Sequence, residues 1–155
     1  MHLKSRLDDI ILTFYYSLLI EKQKVIPAFG FHKTHKKKTS QSHYVLGNSA
    51  YSLKDKKKTA MTLLTNVLGG PAMNSILNLE IREKHGLTYN IEANYSPFID
   101  AGMFSIYLGT DKTQLDKTVS LVKKELKKLR DKKLSAQQLS AAKQQIIGQI
   151  TMANE

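Results

Sequence analysis

The chain has 155 residues, 41% of them hydrophobic and 24% charged, which suits one globular domain or a large piece of one and excludes wholesale disorder. It has no cysteine, which excludes a disulfide scaffold and any thiolate-bound zinc or iron–sulfur centre. The net charge of +11 is uneven: residues 1–58 carry +8 and residues 59–155 carry +3, with the excess in the runs Lys36–Lys38 and Lys56–Lys58. Such runs attract phosphates or anionic membranes, but they are more often solvated faces. With no Trp and no aromatic-rich motif of an RNA-binding sheet, nucleic-acid binding is a minority reading.

Taken in chain order, residues 7–20 can form an amphipathic helix, although Thr13, Phe14, Tyr15 and Tyr16 lower its propensity. The apolar stretch Ile10 to Ile20 is about half of what crosses a bilayer. Asp8 and Asp9 stand where the apolar region of a signal peptide would begin. No membrane segment is read, no signal peptide is evident, and a cytoplasmic location is favoured. Pro27 to Gln41 reads as loop with at most an edge strand, and His43 to Leu46 as a short strand. Asp55 is placed to cap a helix reaching Leu68, with Ala60, Leu63, Leu64 and Val67 on one face and Gly69 at its end. Pro71 is suited to open a second helix, which buries Met73, Ile76, Leu77 and Ile81 and stops at Gly86.

Leu87, Tyr89, Ile91, Ala93 and Tyr95 alternate with polar residues, the pattern of a half-buried strand. Ser96 to Gly102 turns the chain into a returning strand marked by Phe104, Ile106 and Leu108, so the two pair as an antiparallel hairpin. Asp111 and Gln114 have capping-box spacing ahead of a third helix carrying Leu115, Val119, Val122, Leu126 and Leu129. Ser135 and Gln138 repeat that signal for a fourth helix, in which Leu139, Ala142, Ile146 and Ile150 align. The expected fold is α+β: helix pairs packed on an antiparallel sheet. The fourth pattern still runs at Glu155, and the expectation is a domain incomplete at both ends.

Complete catalytic sets are missing from the residues themselves. His32 and His35 have H-x-x-H spacing, but no acid lies between them and the next one is Asp55, so both read as surface loop residues. His43 is placed to face either the core or a cleft. His85, before Gly86, suits a helix C-terminus. Gly69-Gly70 lacks the spacing and the Lys-Ser/Thr pair of a phosphate loop, and no G-x-S-x-G occurs. Arg82 and Tyr89, joined through the Gly86 turn, can meet at one sheet edge and donate hydrogen bonds to a substrate carbonyl. Alternation argues the other way, because Tyr89 then shares a face with Leu87 and Ile91 as a core tyrosine beside a surface arginine.

Leu68-Gly69-Gly70, followed by Leu79-Glu80-Ile81-Arg82-Glu83-Lys84-His85-Gly86-Leu87-Thr88-Tyr89, resembles the signature of the pitrilysin/insulinase family of zinc metallopeptidases, in its second, non-zinc domain. The similarity includes Gln41-Ser42-His43, Asp100-Ala101-Gly102-Met103-Phe104, Tyr107-Leu108-Gly109-Thr110, Ala142-Lys143 and Gly148. It divides the chain into residues 1–39, a poorly matched basic segment with one helix, and residues 40–155, the substrate-binding domain. The resemblance implies that a partner domain carries H-x-x-E-H and holds zinc, while this chain, which has no such motif, binds no metal or other cofactor and is inactive alone. It also implies that Arg82 and Tyr89 hold the substrate backbone at the reacting carbonyl, and that paired domains form a dimer around a peptide substrate. A missing first strand would leave a sheet edge prone to self-association. The rival readings are a non-catalytic partner or scaffold subunit and, behind it, a basic nucleic-acid-binding module.

Overall fold

The computed structural model describes residue 30 and residues 32–153. The chain divides into two units, residues 1–35 and 36–155, and every described helix and strand lies in the second. The helix expected over residues 7–20 lies outside the described residues. Strand β1 (Gln41–Ala50) leads to helix α1 (Lys58–Gly69) and a π-helical stretch, α2 (Asn78–Glu83). Strands β2 (Asn90–Pro97) and β3 (Gly102–Asp111) come next, before helices α3 (Leu115–Asp131) and α4 (Ala136–Ala153).

The strands are antiparallel in the order β1-β3-β2. Side chains alternate across a strand, so the register of Tyr44 and Ile91 on Leu108, and of Leu46 and Ala93 on Ile106, puts all six on one face. Helices cover that face. Leu68 of α1, Leu77 and Ile81 at α2, and Val122 of α3 join Leu87, Ile91, Ala93, Ile106 and Leu108 in one core, none more than 8% exposed. Each large apolar side chain buried there is worth roughly 1.5–3 kcal/mol. The α+β architecture and the antiparallel hairpin are as the sequence predicts.

Several local expectations give way to packing. The strand expected at His43 to Leu46 is longer, because β1 pairs with the whole of β3 from Gln41 to Ala50. Asp55 caps the turn before α1, its Oδ1 accepting from the Lys57 N–H at 2.7 Å, and the helix then starts at Lys58. The buried positions of α1 are Thr65, Leu68 and Gly69, whereas Ala60 and Leu64 are exposed. Thr65 tolerates burial because its hydroxyl donates to the Met61 carbonyl, 2.8 Å away. Pro71 opens no helix: residues 71–75 form bends and turns, helix begins at Ile76, and Met73 is 70% exposed. On α3 the acid Glu125 is buried and held by Lys128 at 2.7 Å, a hydrogen bond that raises the lysine's affinity for its proton.

Helix α4 starts on the expected capping box. The Ser135 N–H donates to Gln138 Oε1 at 2.9 Å, and the Gln138 N–H to Ser135 Oγ at 3.2 Å. Its apolar row is only partly covered: no α4 residue is fully buried, Ala142 and Ile146 are half-buried, and Leu139, Ile147, Ile150 and Met152 are exposed. Amides hold it as well. Asn66 donates to Gln149 at 2.6 Å and Asn74 to Gln145 at 2.8 Å, while Gln145 returns a 3.4 Å bond to Asn66.

The glycine pair closing α1 is a packing requirement. A Cβ at Gly69 would stand 2.7 Å from the Ala93 backbone nitrogen and 2.9 Å from its Cβ, and one at Gly70 would stand 2.7 Å from the Asn66 carbonyl oxygen. Gly148, inside α4, has open space around it. Urea unfolding is therefore expected to show Gly69→Ala destabilised by about 1–3 kcal/mol through overpacking. Gly148→Ala is expected to gain about 0.5–1 kcal/mol of helix propensity.

Candidate functional site

Arg82 and Tyr89 flank a turn built by backbone constraints. In α2 the Lys84 N–H reaches back to the Leu79 carbonyl at 3.0 Å, a π-type bond that widens the helix by one residue. Such single-turn π segments recur at functional sites. Gly86 ends it at φ 60°, a left-handed conformation that costs a residue with a Cβ roughly 1–2 kcal/mol. Its N–H bonds to the Arg82 carbonyl at 2.9 Å, and the Leu87 N–H bonds to the Ile81 carbonyl at 3.2 Å. Three residues on, the Tyr89 N–H donates to the Gly109 carbonyl at 2.9 Å and docks the chain on β3 just before β2 begins. Ile81 is fully buried, whereas the adjoining Arg82 side chain is 46% exposed and lies 3.9 Å from Glu83.

Tyr89 is 58% exposed, so it is not the core tyrosine that alternation suggests. Leu87 and Ile91 are buried, but Tyr89 stands outside the strand at the end of the sheet. Its hydroxyl donates to Asp111 Oδ1 at 3.0 Å. The Asp111–Gln114 capping box is accordingly not formed. The N-cap of α3 is Gln114, with no side-chain cap, and only the Asp111 carbonyl accepts the Gln114 N–H, at 3.0 Å. The Asp111 carboxylate, as hydrogen-bond acceptor and as a nearby negative charge, pushes the Tyr89 phenol above its usual range. The phenol therefore keeps its proton at neutral pH.

His85, Gly86, Leu87, Thr88, Tyr89, Asp111, Gln114 and Lys117 surround a cleft of about 300 Å³. Arg82 is not among its lining residues. Two buried threonines, Thr88 of the cleft lining and Thr110 next to Asp111 in β3, are in opposite situations. Thr110 donates its hydroxyl to the Leu87 carbonyl, whereas Thr88 Oγ1 finds no hydrogen-bond partner among the described residues.

The remaining candidates carry less. His32 and His35 are exposed in coil. His43 faces neither the core nor this cleft: it lies on the opposite side of the sheet, its Nδ1 2.8 Å from the Tyr107 hydroxyl and its ring stacked on that tyrosine at 6.0 Å. Burial, and then the charge of Glu92, raise the pKa of Tyr107. No group of three or more His, Cys, Asp or Glu side chains able to hold a metal gathers among the described residues. No helix among them is long and apolar enough to cross a membrane. Sequence reasoning missed Asp111, and its spacing to Gln114 pointed to a helix cap instead.

A family model described as the peptidase M16 inactive domain matches residues 18–146, most of the chain. The chain belongs to that family. The resemblance to the pitrilysin/insulinase metallopeptidases in their non-zinc domain is thereby confirmed. Proteins similar to this one include the uncharacterized zinc protease YmxG of Bacillus subtilis, 32% identical over 83% of this chain and 32% of its own length. An uncharacterized zinc protease of Streptomyces coelicolor is 32% identical over 77% of this chain and 26% of its own. The chain thus spans about a third or less of the length of these relatives. The crystal structure of a peptidase M16 inactive domain from Pseudomonas fluorescens superposes with a TM-score of 0.68 at 28% identity, covering 73% of this chain and 27% of that one. A protease from Helicobacter pylori shares the fold, with a TM-score of 0.65 at 16% identity over 98% of this chain and 39% of its own.

The two buried threonines of this M16 domain respond oppositely to one substitution. Thr110→Val strands the Leu87 carbonyl and should cost about 1–3 kcal/mol in denaturant unfolding. Thr88→Val removes an unpaired buried hydroxyl and should leave stability unchanged or raise it.

Proposed function

We propose that this chain is the substrate-binding, non-zinc domain of a zinc-dependent metalloendopeptidase, inactive alone, and that it supplies Arg82 and Tyr89 to the backbone of a peptide substrate. Its partner is a catalytic zinc domain, in the same polypeptide or in another subunit, and the assembled peptidase is a dimer. Zinc in that partner domain supplies the activation of water for peptide-bond hydrolysis. The residues of this chain bind and orient. The observation that carries the reading is that Arg82 and Tyr89 are both exposed, on either side of a turn fixed by the π-helical stretch, the left-handed Gly86 and the Tyr89–Gly109 backbone bond.

The chemistry suits the task. A guanidinium stays charged at any physiological pH and offers several donors in one plane. A phenol whose pKa lies above its ordinary value remains a donor across the turn from it. Two such donors aimed at a carbonyl that is becoming an oxyanion lower the barrier more than they tighten binding.

Tyr89→Phe in the assembled peptidase is expected to lower kcat by about 10²-fold, the effect of losing one such donor. KM should change much less, as for an interaction made mainly in the transition state. Steady-state kinetics on a fluorogenic peptide makes the measurement, and unchanged kcat would remove Tyr89 from the role.

A further inference from the structure

Tyr89 has a single hydroxyl proton to donate, and in this structure it is already committed to a hydrogen bond with Asp111. We infer that Asp111 is a positioning residue for Tyr89: it accepts the phenol's hydrogen bond in the free protein and gives it up only to a substrate oxygen that is gaining negative charge. The inference rests on the proposed role of Tyr89 at the substrate carbonyl and adds the group that decides when Tyr89 donates.

Both partners are held by the sheet. Asp111 pairs with Gln41 in the last register position of the β1–β3 ladder, and Tyr89 is tied through its own N–H to Gly109 on the same strand. The 3.0 Å contact between their side chains therefore spans two backbone segments whose relation is fixed. Asp111 also forgoes the cap that its spacing to Gln114 offers, leaving that helix end without a side-chain cap. A local rule set aside in this way is expected where a site needs the residue for something else. The groups facing the phenol from the surrounding elements are Asp111 at the end of β3, Lys117 on α3 and His85 after α2, all lining one cleft. Arg82 is not in that cleft and stands beside Glu83 instead.

The order of hydrogen-bond strengths gives the consequence. A carboxylate is a much stronger acceptor than a neutral amide carbonyl. A resting peptide carbonyl therefore does not displace Asp111, and Tyr89 adds little to ground-state binding. An oxygen approaching a full negative charge is an acceptor of the carboxylate's own kind, and the O–H can turn to it. No bond other than a hydrogen bond is broken in the exchange, and the proton stays on the phenol.

The test uses Asp111→Asn, which keeps the size of the side chain and replaces the charged acceptor with a neutral one. In the assembled peptidase this variant is expected to bind a fluorogenic peptide with a KM about threefold to tenfold lower, because Tyr89 is freed to meet the ground-state carbonyl. The same substitution placed in Tyr89→Phe is expected to leave KM where Tyr89→Phe alone puts it. In the unliganded protein, the 13C signal of the Tyr89 ring carbon bearing the hydroxyl should titrate at lower pH in Asp111→Asn than in the parent. A KM unchanged or raised by Asp111→Asn, a fall that persists without the Tyr89 hydroxyl, or an unmoved titration each overturns the inference. With Tyr89→Phe still defective in kcat, those outcomes leave the role of Tyr89 standing. A Tyr89→Phe variant with full activity overturns both.

Discussion

The closeness of α1 to β2 is the constraint on which the rest of the geometry depends. At Gly69 the helix backbone approaches Ala93 so nearly that no side-chain carbon fits between them, and a Cβ there would also stand 3.2 Å from Leu77 Cδ1. One position thus sets the last turn of α1 against the sheet and against the start of the next helix. Packed interiors tolerate few voids and little crowding, so the path from Gly70 to α2 has little freedom. The site inherits this rigidity. Ile81 is locked in the core beside Leu77, Arg82 comes directly after it, and the Gly86 turn delivers Tyr89 to the end of β3.

Where one physical signal dominates, the fold was legible in the sequence. The hairpin was readable because Ile91 and Ala93 alternate with polar residues and Ile106 and Leu108 recur at the same two-residue spacing, all four facing helices on one side. The Ser135–Gln138 box was readable because its two hydrogen bonds are local, joining residues three apart. Helix faces were read less well. Periodicity selected Leu64 for the core of α1, but packing at Gly69 turns Thr65 and Leu68 inward and leaves Leu64 in solvent. Pro71 has the right chemistry to open a helix, yet the chain first needs bends over residues 71–75 before helix begins at Ile76.

The candidate site was legible through resemblance and only partly through its residues. Arg82 and Tyr89 stand at motif positions, but alternation alone would have put Tyr89 in the core. It is exposed because it stands in a bend ahead of β2, between the buried Leu87 and Ile91, with its hydroxyl on Asp111. Asp111 carried a misleading signal, since a carboxylate three residues before a glutamine has the spacing of a cap. Nothing local announces that a tyrosine 22 residues earlier will reach it. Membership of the M16 inactive-domain family accounts for the missing metal motif in a chain whose curated relatives carry zinc protease names.

The strand order β1-β3-β2 bears on how this unit acquires its shape. β2 and β3 are joined by a short turn, closed by the Phe98–Ala101 backbone bond at 2.8 Å, so they can zip together from adjacent sequence. β1 must wait. Its partner is β3, and all of α1, α2 and β2 lie between them in the chain. The entropy of closing that span is lost before ten residue pairs repay it. Until β1 arrives, β3 presents an open edge through its whole length, the kind of surface on which a half-folded chain finds a second copy of itself. Gln41 pairs with Asp111 at the far limit of that late-closing ladder, so the strand end that carries the carboxylate beside Tyr89 gains its second backbone neighbour only when β1 closes on β3.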